Sequence, residues 1–184
     1  MIYPPLDLRL VGLLVGLLLV TSHLFALLKP GAVQAWLKRL PRSRAWGTVF
    51  IIAATIWWVV MVSKMDLGEF SSMRNGIILV SIAAAIASWL YLDDFLAVRS
   101  LGMIALLAAE PVLEACWMRP EIWRLSLVVL AYAWVIAGLF LVGMPFLLRD
   151  RIAWSAAADS RWRAICIAGV AYGGIVLAGC ALGK

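Results

Sequence analysis

Residues 8–28 read LRLVGLLVGLLLVTSHLFALL, an apolar run with one charged residue, Arg9, at its leading edge. A helix needs about 20 such residues to cross the roughly 30 Å of hydrocarbon in a bilayer. It has to be a helix, because lipid offers the backbone no hydrogen-bond partner. A cleavable signal peptide would place basic residues ahead of a shorter apolar core. Here the order is reversed: MIYPPLD precedes the run, and Lys29, Lys38, Arg39, Arg42 and Arg44 follow it. The segment is expected to persist as a transmembrane helix.

Similar runs recur at 45–63, 76–92, 95–117, 122–148 and 163–182, which makes six expected spans. Of the 184 residues, 65% are hydrophobic and 14% charged, and the mean hydropathy is +1.01. Soluble domains run near half apolar and about a quarter charged. The runs are continuous and about twice the length of a barrel strand, which excludes an outer-membrane type of β-barrel. Connections 29–44 and 149–162 are too short to fold around cores of their own. The expected fold is therefore all-α integral membrane: one polytopic domain over 1–184, a bundle of six transmembrane helices with short loops.

Cytoplasmic loops carry the excess of Lys and Arg. Ten of the 16 basic residues (Lys29, Lys38, Arg39, Arg42, Arg44, Arg99, Arg149, Arg151, Arg161 and Arg163) fall on the face of loops one, three and five. The other six, Arg9, Lys64, Arg74, Arg119, Arg124 and Lys184, fall on the face of the termini. The expectation is a multi-pass protein of a bacterial inner membrane with both termini outside the cytoplasm. In the first loop Val33, Trp36, Leu37 and Leu40 share a helical face between Pro30 and Pro41, which predicts one interfacial amphipathic helix at 31–40. Lys38, Arg39, Arg42 and Arg44, with Trp36, would anchor it on an anionic leaflet at about 1 kcal/mol per basic residue. A docking surface for a cytoplasmic partner is the alternative. This topology accounts for the net charge of +6 without nucleic-acid binding. Trp46, Trp117, Trp123, Trp154 and Trp162 fall at span ends, where indole prefers to sit, while Trp57, Trp58, Trp89 and Trp134 lie deeper as packing residues.

The chemistry concentrates around the fourth span. Asp93 and Asp94 precede it and suit helix capping, and Arg99, a turn inside, can fold back toward them. Glu110 lies eleven residues past Arg99, about 16 Å along the axis, in the hydrocarbon zone. Glu114 is one turn nearer the boundary, within reach of water or Arg119, and the i, i+4 spacing puts both carboxylates on one face. Pro111 has no N–H, so the carbonyl of Leu107 loses its helical donor and the helix is expected to kink. A charged side chain deep in lipid is costly, so Glu110 should face protein, either protonated or paired with a base such as Lys64, Arg74 or Arg124. A packing contact, a proton or cation site and a catalytic acid all remain open for it.

Sharper enzyme signatures are missing: there is no GxSxG, HExxH, P-loop or GxGxxG. The single histidine, His23, has no ligand-spaced companion, so neither metal nor cofactor is expected; bound lipid is. Cys116, Cys166 and Cys180 form no CxxC, though Cys116 and Cys180 fall near the same face and could be bridged if helices four and six touch. Gly12 and Gly16, Gly169 and Gly173, and Ala84 and Ser88 are small-xxx-small pairs that let helices approach, within the bundle or between copies. Length and span number are similar to those of the vitamin-binding S-components of energy-coupling transporters. The first helix, however, carries Gly12 and Gly16 where that family has an Ala-xxx-Ala coupling pair, and the predicted orientation is opposite, so the chain is not placed there. The leading expectation is a transport or ion/proton-conducting protein with an intramembrane carboxylate site. The rivals are a non-catalytic accessory subunit of a membrane complex and a lipid-modifying enzyme. Expected partners are the bilayer and, for assembly, further copies of the chain or other membrane subunits.

Overall fold

The computed structural model describes residues 6–92 and 95–183. Among them every regular element is helical: α1 (Leu8–Leu28), α2 (Pro30–Arg39), α3 (Arg44–Lys64), α4 (Arg74–Tyr91), α5 (Leu96–Cys116), α6 (Arg124–Gly143), α7 (Phe146–Ser155) and α8 (Asp159–Leu182). Six of these, α1, α3, α4, α5, α6 and α8, are long and apolar enough to cross a membrane, with a 3₁₀ turn at Gly68–Met73 extending α4. This is the architecture of a multi-pass membrane protein. Starts are set by side-chain caps: Asp7 accepts from the Arg9 amide at 3.0 Å ahead of α1, and Ser43 from the Trp46 amide at 3.3 Å ahead of α3.

Two α-helix boundaries differ from the sequence expectation by four residues or more, and one of them is the start of α8, at Asp159 and not 163. The fifth span does not run to 148: α6 ends at Gly143, and a separate helix, α7, begins at Phe146. Pro145 is the cause. Its ring disfavours a helical residue before it, and Met144 accordingly sits at φ −129°, ψ 67°. Pro145 itself, at φ −63°, then leads into α7. The apolar Phe146, Leu147 and Leu148 continue the hydropathy past the break and conceal it.

The small residues are spent on two tight seams. Along α1 and α8, a Cβ placed on Gly16 would meet the Gly173 carbonyl oxygen at 3.3 Å, and one placed on Gly173 would meet the Gly16 oxygen at 3.0 Å. Along α5 and α6, Gly102 and Gly138 oppose each other, each Cβ falling 2.9 Å from the other's carbonyl oxygen. Gly16 and Gly173 therefore close against each other inside one chain, backbone to backbone, while Gly12 admits Cys180 and Trp123 and Gly169 admits His23. The two helix pairs share a core toward the end that carries the termini, built on Val15, Val112, Leu127, Ala131 and Val176. Helix α3 flanks α5 through Ala54, Met61 and Leu107, with Gly47 admitting the backbone of Ala97.

Helix α4 lies outside all of this. It buries no residue, whereas 39% of the apolar window of α5 is buried, which puts α5 at the centre and α4 at the edge. Two indole-to-hydroxyl bonds tie it to α3: Trp58 Nε1 donates to Ser81 Oγ at 3.0 Å, and Trp89 Nε1 donates to Thr48 Oγ1 at 3.0 Å.

The first-loop end is floored by α2 and α7, which pack side by side. The apolar stripe of α2 turns toward protein: Val33 and Leu37 pack on Ala26, Trp162 and Cys166, and Leu40 is buried in the following turn. Trp36 stays exposed and meets Trp46 edge-on at 5.6 Å, and Lys38, Arg39, Arg42 and Arg44 are exposed.

Candidate functional site

The stripe of α5 that carries the two glutamates looks into a recess. Leu106, Ala109, Glu110, Leu113, Glu114 and Trp117 recur every three or four residues and line it, with Val135 of α6 opposite, around a volume of about 500 Å³. Both carboxylates therefore share one wall, the outcome that helical i, i+4 geometry demands. Every other lining side chain is apolar or aromatic, and among the described residues no cationic one lines the recess.

Both glutamates are partly buried. Glu110 is not free of partners within the chain. Glu114 makes no ion pair among the described residues, and its Oε2 is buried without a protein hydrogen bond. Arg119, which the sequence placed within reach of Glu114, instead donates to the Leu6 carbonyl at 3.4 Å. Arg74 serves the end of α3, donating to the carbonyls of Ser63 at 3.3 Å and Met65 at 2.8 Å. Helix α5 continues through Pro111 without interruption.

Arg99 is engaged at the other end of the helix. Its guanidinium donates to the Val142 carbonyl at 3.1 Å, one of the last-turn carbonyls of α6 that have no helical donor and carry the negative end of the helix dipole. Asp93 and Asp94 lie outside the described residues. Phe95, which follows them, turns the chain into α5 with a left-handed φ of 62°. Of the residues singled out in the sequence, then, the fold brings Glu110 and Glu114 together and ties the guanidinium of Arg99 to the end of α6, several turns away.

His23 is a helix-packing residue. Its Nδ1 is 2.8 Å from the Leu19 carbonyl and 3.3 Å from Ser22 Oγ, and its ring fills the space that Gly169 leaves in α8. All three cysteines are free thiols; Cys116 and Cys180 lie in the same apolar cluster without being bridged.

A second cavity was not anticipated from the sequence. It encloses about 370 Å³ between α3, α4 and α5, and its lining includes Ala54, Trp58, Ala84, Ser88, Met103 and Leu107. The signal was present in Ala84 and Ser88, which read as a close-approach pair. Spacing alone does not say whether small residues admit another helix or leave a gap. Leu106 lines both cavities. The chain matches no protein-family model, no curated protein and no solved structure.

Proposed function

We propose that this chain carries or conducts a proton, a small cation or a proton-coupled solute across a bacterial inner membrane, with Glu110 and Glu114 as the exchange site. One observation supports the reading above all: the recess of about 500 Å³ whose only ionisable lining groups are these two carboxylates. Carboxylates set among apolar walls at membrane depth are costly and are retained where they handle charge. Two carboxylates on one wall favour a positively charged visitor over an anion. Lipid-facing apolar walls also limit competition from water, which strengthens each electrostatic contact.

The direct test is flux in proteoliposomes under an imposed pH gradient, with Glu110→Gln and Glu114→Gln, separately and together, in otherwise folded protein. The expected outcome is a pH-dependent flux in the wild type that either substitution reduces and the pair abolishes. Flux that is the same in all four proteins sinks the assignment. The orientation, with both termini outside, predicts that an export-dependent reporter fused after Lys184 is active; activity of a cytoplasm-dependent reporter at the same place reverses the topology.

A second reading has its own support. No residue of helix α4 is fully buried against its own chain, as would suit an accessory subunit whose exposed face met another membrane protein. Wild-type protein that supports no flux but always leaves the membrane with the same companion subunit would favour it.

A further inference from the structure

We propose that the cavity between α3, α4 and α5 binds one hydrocarbon chain, the acyl or isoprenyl tail of a lipid. The inference does not depend on the carboxylate recess. At about 370 Å³ the cavity falls within the roughly 300–1,000 Å³ of small-ligand sites. Its walls lie well inside the spans. On α3 they run from Ile51 to Trp58, about 10 Å of helix at 1.5 Å per residue, so the medium at this depth is hydrocarbon. No charged residue lines it.

Of the polar groups that line it, Thr55, Trp58 and Ser81 are already committed, and the Ser88 hydroxyl alone makes no hydrogen bond among the described residues. Thr55 Oγ1 donates to the Ile51 carbonyl at 2.7 Å. Ser81 Oγ donates to the Ile77 carbonyl at 2.8 Å and accepts from Trp58 Nε1 at 3.0 Å. A ligand with several hydrogen bonds to satisfy would find one partner and lose the others, at a cost of about 1–3 kcal/mol per group. An uncharged wall with a single spare hydroxyl, its other donors spent, complements an alkyl or polyprenyl segment.

The shape agrees. Ala54, Ala84 and Ala85 end at Cβ, so they leave room between helices, while α4 rests on α3 and does not pack extensively on α5. The cavity is a slot walled by three helices, wide enough for a single chain but not for another helix of about 10 Å diameter. Were it unfilled, the side chains around it would forfeit dispersion contacts along their length.

The test uses Trp58, which stands in the wall. In bilayers of phosphatidylcholine with brominated acyl chains, the Trp58 signal is the fluorescence difference between wild type and Trp58→Phe. It is expected to be quenched in the wild type and to lose that quenching in the double variant Ala84→Leu/Ala85→Leu, which fills the slot from α4. Met103→Phe narrows the slot from α5 and should act alike, so the test survives if one variant fails to fold. Quenching of Trp134 on α6, isolated in the same way through Trp134→Phe, should be unaffected. Unlabelled polyprenol added to the bilayer identifies the tail: relief of quenching marks an isoprenyl chain, and persistence marks an acyl chain. Absence of Trp58 quenching in the wild type, or equal quenching in every folded variant, overturns the proposal.

Discussion

Helices α1 and α8 meet backbone to backbone across Gly16 and Gly173, whereas α3 and α4 meet through an indole and a hydroxyl and leave a cavity beside Ala84 and Ser88. Both contacts carry the same kind of sequence signal, a small residue every fourth position. In a bilayer that signal permits close approach but does not drive it, because lipid tails are as apolar as the helices they surround. What closes the α1–α8 seam is mutual fit. Leu177 lies over Gly16, and Val20 and Leu19 lie over Gly173, so each glycine is matched by a ridge on the partner. The Ala84 and Ser88 stripe of α4 has no such ridge facing it and borders the cavity.

The strongest way to sharpen this contrast is to add the same side chain to both places. Gly16→Leu should destabilise by about 1–3 kcal/mol, since an overpacked contact can relieve itself only by moving backbone. Ala84→Leu, with open space ahead of it, should stay within about 0.5 kcal/mol of wild type. Thermal or detergent-titrated unfolding of the purified protein measures both. Equal losses at the two sites would mean that the α4 stripe is packed as tightly as the glycine seam.

The sequence made the broad architecture legible for a physical reason: hydrophobic length is a one-dimensional property, and all six spans carry it. It misplaced the end of the fifth because Phe146, Leu147 and Leu148 keep the hydropathy high after Pro145 has broken the helix. Within the site, the shared face of Glu110 and Glu114 followed from a fixed helical period. Which neighbours close the recess did not, since Val135 reaches it only through the Gly102–Gly138 crossing that brings α6 against α5. The amphipathic stripe of α2 was readable too, but not its target: the apolar face of a helix is equally suited to lipid and to the base of a bundle.

A smaller effect separates the two kinds of indole bond. Pro30 has no N–H, so the carbonyl of Ala26 lacks its helical donor; Trp162 Nε1 supplies one at 3.0 Å from α8, in a buried setting. Trp162→Phe leaves that carbonyl unsatisfied and should cost about 1–3 kcal/mol in the same unfolding assay. A loss below the lower bound would indicate that the end of α1 rearranges to find another donor, and that the proline-created gap is not what fixes α8 against α1.

The bond between Trp58 and Ser81 is a milder case, because the hydroxyl keeps a partner when it breaks and the Trp58 N–H that loses its acceptor is only partly buried. Ser81 Oγ already donates to the Ile77 carbonyl at 2.8 Å, and Ser81 is only partly buried at the edge of the molecule. Ser81→Ala should therefore cost about 0.6 kcal/mol, the average for a hydrogen bond between membrane helices. A double-mutant cycle with Trp58→Phe isolates the coupling. A coupling clearly larger than that of the buried Trp162 bond would reverse the ranking, making α4 an integral part of the bundle whose attachment is concentrated in one contact. A coupling near the average leaves α4 as the helix most easily detached, with the glycine seams and the Ala26–Trp162 bond holding the rest together after it has gone.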